Sequence, residues 1–512
     1  MSEVNCLDML VIGGGINGAG IARDAAGRGL SVLLCEKDDL AEGTSSRSGK
    51  LVHGGLRYLE YYEFRLVREA LIEREVLLNS ACHIIWPMRF VLPHSPQDRP
   101  AWLVRLGLFL YDHLGGRQKL PGTRRLDLRR DPEGAPLLDS YRTGFEYSDC
   151  WVDDARLVTL NALDAAERGA TVLTRTRCVA AHREQGHWTV TLRDEASGAE
   201  RQVQAKAIVN AAGPWVLDIV NQVTHTRSSR KVRLVKGSHI VVPKFWEGQQ
   251  AYLVQNHDKR VIFINPYEGD KALIGTTDIP WEGKAEAVTA DDSEQQYLID
   301  AVNRYFKVKL QAQDVITRFS GVRPLFDDGK GNPSAVTRDY VFDLDAEENA
   351  PLLHVFGGKI TTFRKLAEHA LHKLAPFFPQ MGADWTRTAV LPGGDIAAAD
   401  FDTFLQAQKS QRPWLPAALR KHYARLYGAR MTTLLGEARD LAGLGRHFGG
   451  LLYEAEARYL AEHEWAQQPE DILWRRTKHR LHLTPAEQQQ FADWFTVTFP
   501  REAPQPRRAA AR

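Results

Sequence analysis

The sequence predicts an α/β protein in three parts: a nucleotide-binding parallel-sheet domain, a domain of antiparallel strands, and an all-helical end. Three observations predict it. A glycine-rich turn separates two apolar runs within the first 36 residues, strand-like segments fill 239–276, and helical periodicity takes over from Trp414. The length of 512 residues allows about two to four structural units at roughly 150 residues each.

The opening elements follow in order. The apolar run Met9 to Ile12 reads as a strand, the segment from Ile16 to Arg28 as a helix, and Ser31 to Leu34 as a second strand ending at Glu36. Gly13, Gly15 and Gly18 fit G-x-G-x-x-G directly after that first strand, the Rossmann-type fingerprint. Gly13 permits the tight turn, Gly15 lets the backbone approach a pyrophosphate, and Gly18 lets the helix lie close on the strand. The helix N-terminus then faces phosphate, and Glu36 stands where an acid accepts hydrogen bonds from a ribose diol. A second glycine-bounded stretch, Gly43 to Leu51, is not a phosphate loop: five residues lie between its glycines and Leu51 stands where Ser or Thr is needed.

Further along, Ala207 to Val216 is a strand ending in Asn-Ala-Ala-Gly-Pro. Leu352 to Phe356 is another, followed by Gly357-Gly358-Lys359-Ile360-Thr361-Thr362 and an amphipathic helix whose apolar face is Phe363, Leu366, Ala367, Ala370, Leu371 and Leu374. Between these, His239 to Val242, Val261 to Asn265 and Leu273 to Thr276 alternate as antiparallel strands, with turns expected at Pro266 and Gly269. From Trp414 strands disappear. The pattern divides the chain into a discontinuous nucleotide-binding domain (1–80, 145–225 and 340–390), a substrate or cap domain (81–144 and 226–339), a helical domain (391–500) and a basic tail (501–512).

Composition excludes several classes. Hydrophobic residues at 44% and charged residues at 25% are those of an ordinary globular protein. Lys+Arg 66 against Asp+Glu 64, a net charge of +2, is too balanced for a chain that coats nucleic acid. The cysteines Cys6, Cys35, Cys82, Cys150 and Cys178 are scattered and form neither a C-x-x-C pair nor a Cys/His cluster, which points to a reducing compartment and no metal site. No apolar stretch reaches the roughly 18 residues of a spanning helix. Trp102 to Leu114 is nonetheless very apolar, with Arg89, Arg99 and Arg105 nearby, and 474–480 carries Arg475, Arg476, Lys478 and Arg480. Each segment reads either as a membrane-surface contact or, respectively, as a core helix and a solvated face.

GGGINGAG at 13–20, SGKLVHGGLRYLE at 48–60, FEYSDCWVDDARL at 145–157, KGSHIVV at 236–242, SGVRPL at 320–325, TRDY at 337–340, FGGKITTFRKLAEHAL at 356–371 and WRRTK at 474–478 span nearly the whole chain. Together they resemble the FAD-dependent, quinone-linked glycerol-3-phosphate dehydrogenase family. The resemblance implies a Rossmann-type FAD-binding domain, an antiparallel-sheet cap domain and a C-terminal helical domain. It implies oxidation of glycerol 3-phosphate to dihydroxyacetone phosphate by hydride transfer to FAD. Electrons would pass to a membrane quinone from a homodimer lying on an anionic surface, the cytoplasmic face of the membrane. An oxidase of the same substrate that makes hydrogen peroxide is the nearest rival; amine oxidases and flavin-dependent RNA modification are more distant ones.

Residue by residue, the resemblance places FAD against Gly13, Gly15, Gly18, Glu36, Thr44, Ser45, Ser46, His53, Gly54, Gly213, Gly357, Gly358, Thr361 and Thr362. The positive end of the helix at Thr361 and Thr362 would favour the charge of a reduced flavin. A phosphomonoester needs charge-assisted donors. Arg57, Tyr58, Arg323, Arg338 and Lys359 are the expected binders, the last three also counted in the catalytic set. His239 is the first choice for the proton acceptor, with His53 a rival that could instead position the flavin, and an arginine that polarises the alcohol a further option.

Overall fold

The computed structural model describes residues 6–95, 99–117, 119–228, 230–326 and 339–500. The strand Leu7–Ile12 and the helix Ile16–Gly27 form where the apolar run and glycine turn place them, and the strand Val32–Cys35 follows. Leu7–Ile12 pairs in parallel with Val32–Cys35 on one side and with Glu200–Asn210 on the other. Leu352–Phe356 joins Glu200–Asn210 in parallel, and Thr171–Leu173 joins Val32–Cys35. The register aligns Ile12 with both Cys35 and Asn210, and Asn210 with His354. Four strands distant in sequence therefore end at one edge, and the turns after them face the same space, where open α/β sheets bind ligands. Val341–Asp345 and the hairpin Thr176–Glu184/His187–Asp194 complete this sheet of eight.

The helix Ile16–Gly27 is buried along most of its length. Ile21 and Ala22 pack in one cluster with Leu157 and Leu160 of the helix Asp154–Glu167 and with Phe363, Leu366 and Ala370 of the helix Phe363–Leu374. Gly20 is required there, because a β-carbon would lie 2.7 Å from the Phe363 ring.

A second sheet of ten strands runs 279–281, 232–243, 271–275, 261–267, 251–255, 85–94, 143–152 and 51–52, with 317–326 beside 232–243 and 124–127 beside 143–152. All its pairings are antiparallel except Ala251–Gln255 with Ile85–His94. The period of two is visible in its core: Ile240 and Val242 pack on one face with the helix Asp292–Tyr305, and Val241 on the other with Leu71, Leu108 and Tyr111. Pro266 is not a turn but lies within the strand Val261–Tyr267, opposite Ala272; the reversal falls at Gly269, which has φ +81°.

The C-terminal part holds the helices Phe401–Gln411, Ala417–Tyr427, Met431–Leu435, Glu454–His463 and Pro485–Thr498 around their own core. It is not free of strands, since His447–Gly449 and Leu452–Tyr453 form a short hairpin through Gly449 and Gly450. The turn glycines take Leu451 and Leu452 out of the helical run that their spacing predicts. Buried ions anchor this part to the rest. Arg156 donates to Glu464 (Nη2 to Oε1, 2.9 Å) with both side chains fully buried. Within the helical part itself, Glu456 accepts from His422 at 2.7 Å, Tyr427 at 2.7 Å and His479 at 2.8 Å.

Three further histidines are buried with unpartnered ring nitrogens: His83, His239 and His354. Burial, aided by Arg156 and Arg425, pushes His83 down to about 3; burial with Arg323 and Lys50 does the same to His239, and burial lowers His354 to about 4. Below the ordinary imidazole value near 6.5, the unfolded chain binds protons that the folded chain refuses, so stability falls as the pH drops. Each histidine should contribute up to about 1.4 kcal/mol per pH unit to that slope. Urea unfolding of His83→Gln between pH 6.5 and 5 should show a slope shallower than the parent's by about that amount; an unchanged slope would contradict this account of the site.

Candidate functional site

The turns at the carboxyl edge of the parallel sheet border a cavity of about 1110 Å³ whose opposite wall belongs to the second sheet. Gly13, Gly15, Glu36, Thr44, Ser45 and Gly213 line one region, and His53, His239, Arg323, Gly357, Gly358, Lys359 and Thr361 another.

Each fingerprint glycine is required differently. A β-carbon on Gly18 would stand 1.9 Å from the Gly13 carbonyl oxygen, and one on Gly13, which has φ +110°, would stand 2.6 Å from the Ala211 carbonyl oxygen. Both are close backbone approaches. Gly15 differs, having an extended backbone (φ −81°, ψ −176°) and only Ser45 Oγ near its β-carbon position, at 3.2 Å. The space beside Gly15 belongs to the cavity. Ser45 Oγ accepts from the Ile16 N–H at 3.0 Å. Glu36 accepts from the Gly14 N–H at 2.6 Å and the Asp38 N–H at 2.9 Å. Its carboxyl is pushed up to about 7 by burial, only partly offset by these bonds, so donors from a ribose would favour its ionised form.

At the far region, Gly357 and Gly358 have φ +76° and +102°, which only glycine adopts without strain. Asn17 Nδ2 donates to the Gly357 carbonyl at 3.1 Å and ties this turn to the first helix, while Asn17 Oδ1 is buried without a partner. Thr361 Oγ1 accepts from the His53 N–H at 3.2 Å and donates to its carbonyl at 3.4 Å. A short 3-10 turn, Ile360–Thr362, leads into the helix Phe363–Leu374.

His239 stacks on Phe319 with centroids 5.0 Å apart and is 3% exposed, its Nδ1 unpartnered. With its proton affinity depressed, it is a neutral imidazole at physiological pH. Arg323 is not a bare cation: it pairs with Asp278 at 2.6 Å and donates to Thr276 Oγ1 at 3.1 Å. Lys359 Nζ sits 4.1 Å from the Tyr58 ring centroid, and Arg57 donates to the Tyr61 hydroxyl at 3.4 Å.

Several expected residues stand back from the cavity wall. Gly18 sits inside the helix, and Gly54 packs where a β-carbon would lie 2.4 Å from Leu71. The Ser46 carbonyl accepts from Lys50 at 3.1 Å, and Thr362 is buried. Arg338 lies outside the described residues. Asn17, Thr276 and Asp278 were missed; all three border the cavity. A polar residue among the apolar and glycine residues of the first helical turn, and Thr-Thr-Asp directly after a buried strand, were the available signals.

The two basic segments part company. Arg475, Arg476 and Lys478 are buried, so 474–480 is neither a solvated face nor a membrane contact; Arg480 alone of its four cations is exposed, paired with Glu470 at 2.8 Å. The helix Ala101–Leu114 buries only Leu108 and Tyr111 and exposes Trp102 (69%), Leu106 (47%) and Phe109 (57%). Tyr62 and Phe64 are exposed as well, and Tyr62, Phe64 and Leu106 border the cavity. No helix among the described residues is long and apolar enough to cross a membrane.

A glycine cradle on a helix N-terminus, an acid at the second strand and a distant glycine turn meeting across one cavity define a dinucleotide-dependent oxidoreductase with an extended cofactor. Family comparison agrees. Residues 8–358 match the family of FAD dependent oxidoreductases, and 385–492 match the C-terminal domain of alpha-glycerophosphate oxidase. The chain is 71% identical to the D-erythritol 1-phosphate dehydrogenase of Brucella abortus, over 97% of this chain and 99% of that one. It is 52% identical to the aerobic glycerol-3-phosphate dehydrogenase of Escherichia coli, over 95% and 97%. The solved glycerol-3-phosphate dehydrogenase of Bacillus halodurans complexed with FAD superposes with a TM-score of 0.75 at 28% identity, covering 98% of this chain and 95% of that one. The chain belongs to the FAD-dependent glycerol-3-phosphate dehydrogenase family; it is an oxidoreductase and its cofactor is FAD.

The glycine geometry separates binding from folding. Gly15→Val should fold with near-parental secondary structure but retain no flavin, because its side chain enters the cavity, whereas Gly18→Val should not fold. Flavin absorbance alongside circular dichroism checks both; a yellow Gly15→Val protein would contradict this placement of the cofactor.

Proposed function

We propose that this enzyme oxidises the secondary alcohol beside the phosphomethylene group of a polyol monophosphate, with D-erythritol 1-phosphate preferred over glycerol 3-phosphate. The observation that carries the preference is the 71% identity to a protein of the first name, against 52% for one of the second. The two substrates share the phosphomethylene carbinol and differ in the length of the hydroxylated tail. FAD supplies the two-electron acceptor.

The chain's own residues take the remaining work. Gly13, Gly15, Glu36, Ser45 and Gly213 hold the dinucleotide, and Gly357, Gly358 and Thr361 hold its reactive end. Lys359, over the Tyr58 ring, and Arg57 attract the phosphate dianion; Arg323, oriented by Asp278 and Thr276, donates to substrate oxygen. His239, kept neutral by burial, accepts the hydroxyl proton, and a bound dianion would raise its proton affinity toward the working pH.

The exposed apolar face of the helix Ala101–Leu114, with Tyr62 and Phe64, rests on the cytoplasmic surface of the membrane and lets a quinone collect electrons near the cavity mouth. Arg105 is exposed on the same helix, where it adds attraction to anionic headgroups.

Anaerobic bleaching of the flavin tests the substrate. D-erythritol 1-phosphate should reduce it with higher kcat/KM than glycerol 3-phosphate, and unphosphorylated erythritol or glycerol hardly at all. Arg323→Ala should keep its flavin and lose roughly ten- to a hundredfold in kcat/KM, about 1.5–3 kcal/mol for a charge-assisted contact. Glycerol 3-phosphate winning would restore the dehydrogenase of that substrate; equal use of phosphorylated and free polyols would remove the anion site.

Vesicles test the surface. The protein should sediment with anionic vesicles, partly leave them at high salt, and reduce a quinone analogue much faster than oxygen. Trp102→Ser/Phe109→Ser should lose vesicle binding and quinone reduction together while the substrate still bleaches the flavin. A protein that ignores vesicles and reduces oxygen as fast as quinone would be the peroxide-forming oxidase.

A further inference from the structure

The loop after the second strand, residues 36–45, builds one wall of the cofactor site. Glu36 accepts from the Gly14 N–H in the glycine turn and Ser45 from the Ile16 N–H at the helix start, and the Ala41 N–H donates to the Gly14 carbonyl at 3.1 Å. Its middle residue, Asp39, is 1% exposed and turned toward the helical domain rather than the cavity. Arg476 forks onto both Asp39 oxygens (Nη1 to Oδ2, 2.6 Å; Nη2 to Oδ1, 2.8 Å) and is itself fully buried. Arg475 donates Nε to Asp39 at 2.7 Å and reaches Glu42 with Nη1 at 2.6 Å. The opposite sides of these guanidiniums are held within the helical domain, by the Glu464 carbonyl at 2.7 Å for Arg476 and by Asp471 for Arg475. Asp471 also binds Arg175 at 2.9 Å, and the Arg175 N–H donates back to the loop at the Asp38 carbonyl, 2.8 Å.

A buried bidentate pair has one good geometry, and losing a partner strands a charge that water cannot reach. Undocking segment 471–476 would leave the buried Asp39 carboxylate in this loop without its guanidinium partners. We propose that Arg475 and Arg476 are positioning residues for the cofactor: acting through Asp39 and Glu42, they hold loop 36–45 in its binding shape, so FAD binding and docking of the helical domain are thermodynamically coupled. The helical domain thereby takes part in holding a cofactor that it does not line. Coupling of this kind is reciprocal: what the domain contributes to FAD affinity, FAD returns to the domain's docking.

Two measurements on the full chain test it. Asp39→Asn and Arg475→Gln should bind FAD about 5- to 150-fold more weakly, the usual range of coupling between sites, and Arg475→Lys, which keeps the charge but not the fork, should recover part of the loss. Arg430→Gln is the control. It breaks another tie of the helical domain, the 2.6 Å pair with Glu167, away from the loop, so it should lower the unfolding temperature while weakening FAD binding far less than Asp39→Asn or Arg475→Gln does. In hydrogen exchange of the unaltered protein, FAD should protect amides of 471–481 as well as those of 13–18. Protection at 13–18 alone, or folded Asp39→Asn and Arg475→Gln proteins with parental FAD affinity, would overturn the coupling while leaving the cofactor site in place. Should those variants not fold, the exchange result decides by itself.

Discussion

The structure depends first on how closely the helix Ile16–Gly27 can approach the turn before it. Only hydrogen fits at Gly18, because the Gly13 carbonyl oxygen occupies the place of any β-carbon. That contact seats the helix on the parallel sheet with its first turn at the cavity. Ser45, Glu36 and Ala41 then bond to those same few residues, so the second loop is shaped by the first turn. The register that ends Ile12, Cys35 and Asn210 together completes the edge on which the Ala211 and Gly357 turns can meet it.

The legible part of the molecule was the part governed by backbone chemistry. Close approaches demand glycine at set spacings, and fully buried parallel strands demand short apolar runs; hence Leu352–Phe356 and the first βαβ unit stand where the pattern puts them. Pro266 misled because a proline is usually excluded from strands, yet here it is accommodated within Val261–Tyr267. The hairpin at 447–453 hid inside leucine spacing that helices share. Side-chain partnerships were least legible: nothing local to Arg323 announces Asp278, and nothing near Asp39 announces Arg476, 437 residues away.

Charge was misread for a related reason. A cluster of arginines in sequence suggests a wet basic surface, but Arg475 and Arg476 are dry because Asp39, Glu42 and Asp471 reach them from two domains. Apolar character was misread less. Trp102 to Leu114 was legible as unusual, and only the fold shows that its apolar side is left uncovered beside the cavity. The same composition can build a core helix or an exposed one; what covers it decides.

The two sheets also divide what evolution can alter independently. The parallel-sheet side of the cavity is built largely from turns whose backbones are constrained by glycine and by one another, so a substitution at one disturbs the rest. The facing wall is built from side chains instead: His239, Thr276, Asp278 and Arg323 stand on neighbouring strands of the second sheet or at their ends. Arg323 illustrates the consequence. Asp278 and Thr276 hold its guanidinium, so a change at either would re-aim it without replacing the arginine. Under the proposed phosphate role for Lys359 and Arg57, the difference between the three-carbon and four-carbon substrates for which the relatives are named would fall to the residues around Arg323 rather than to those cations.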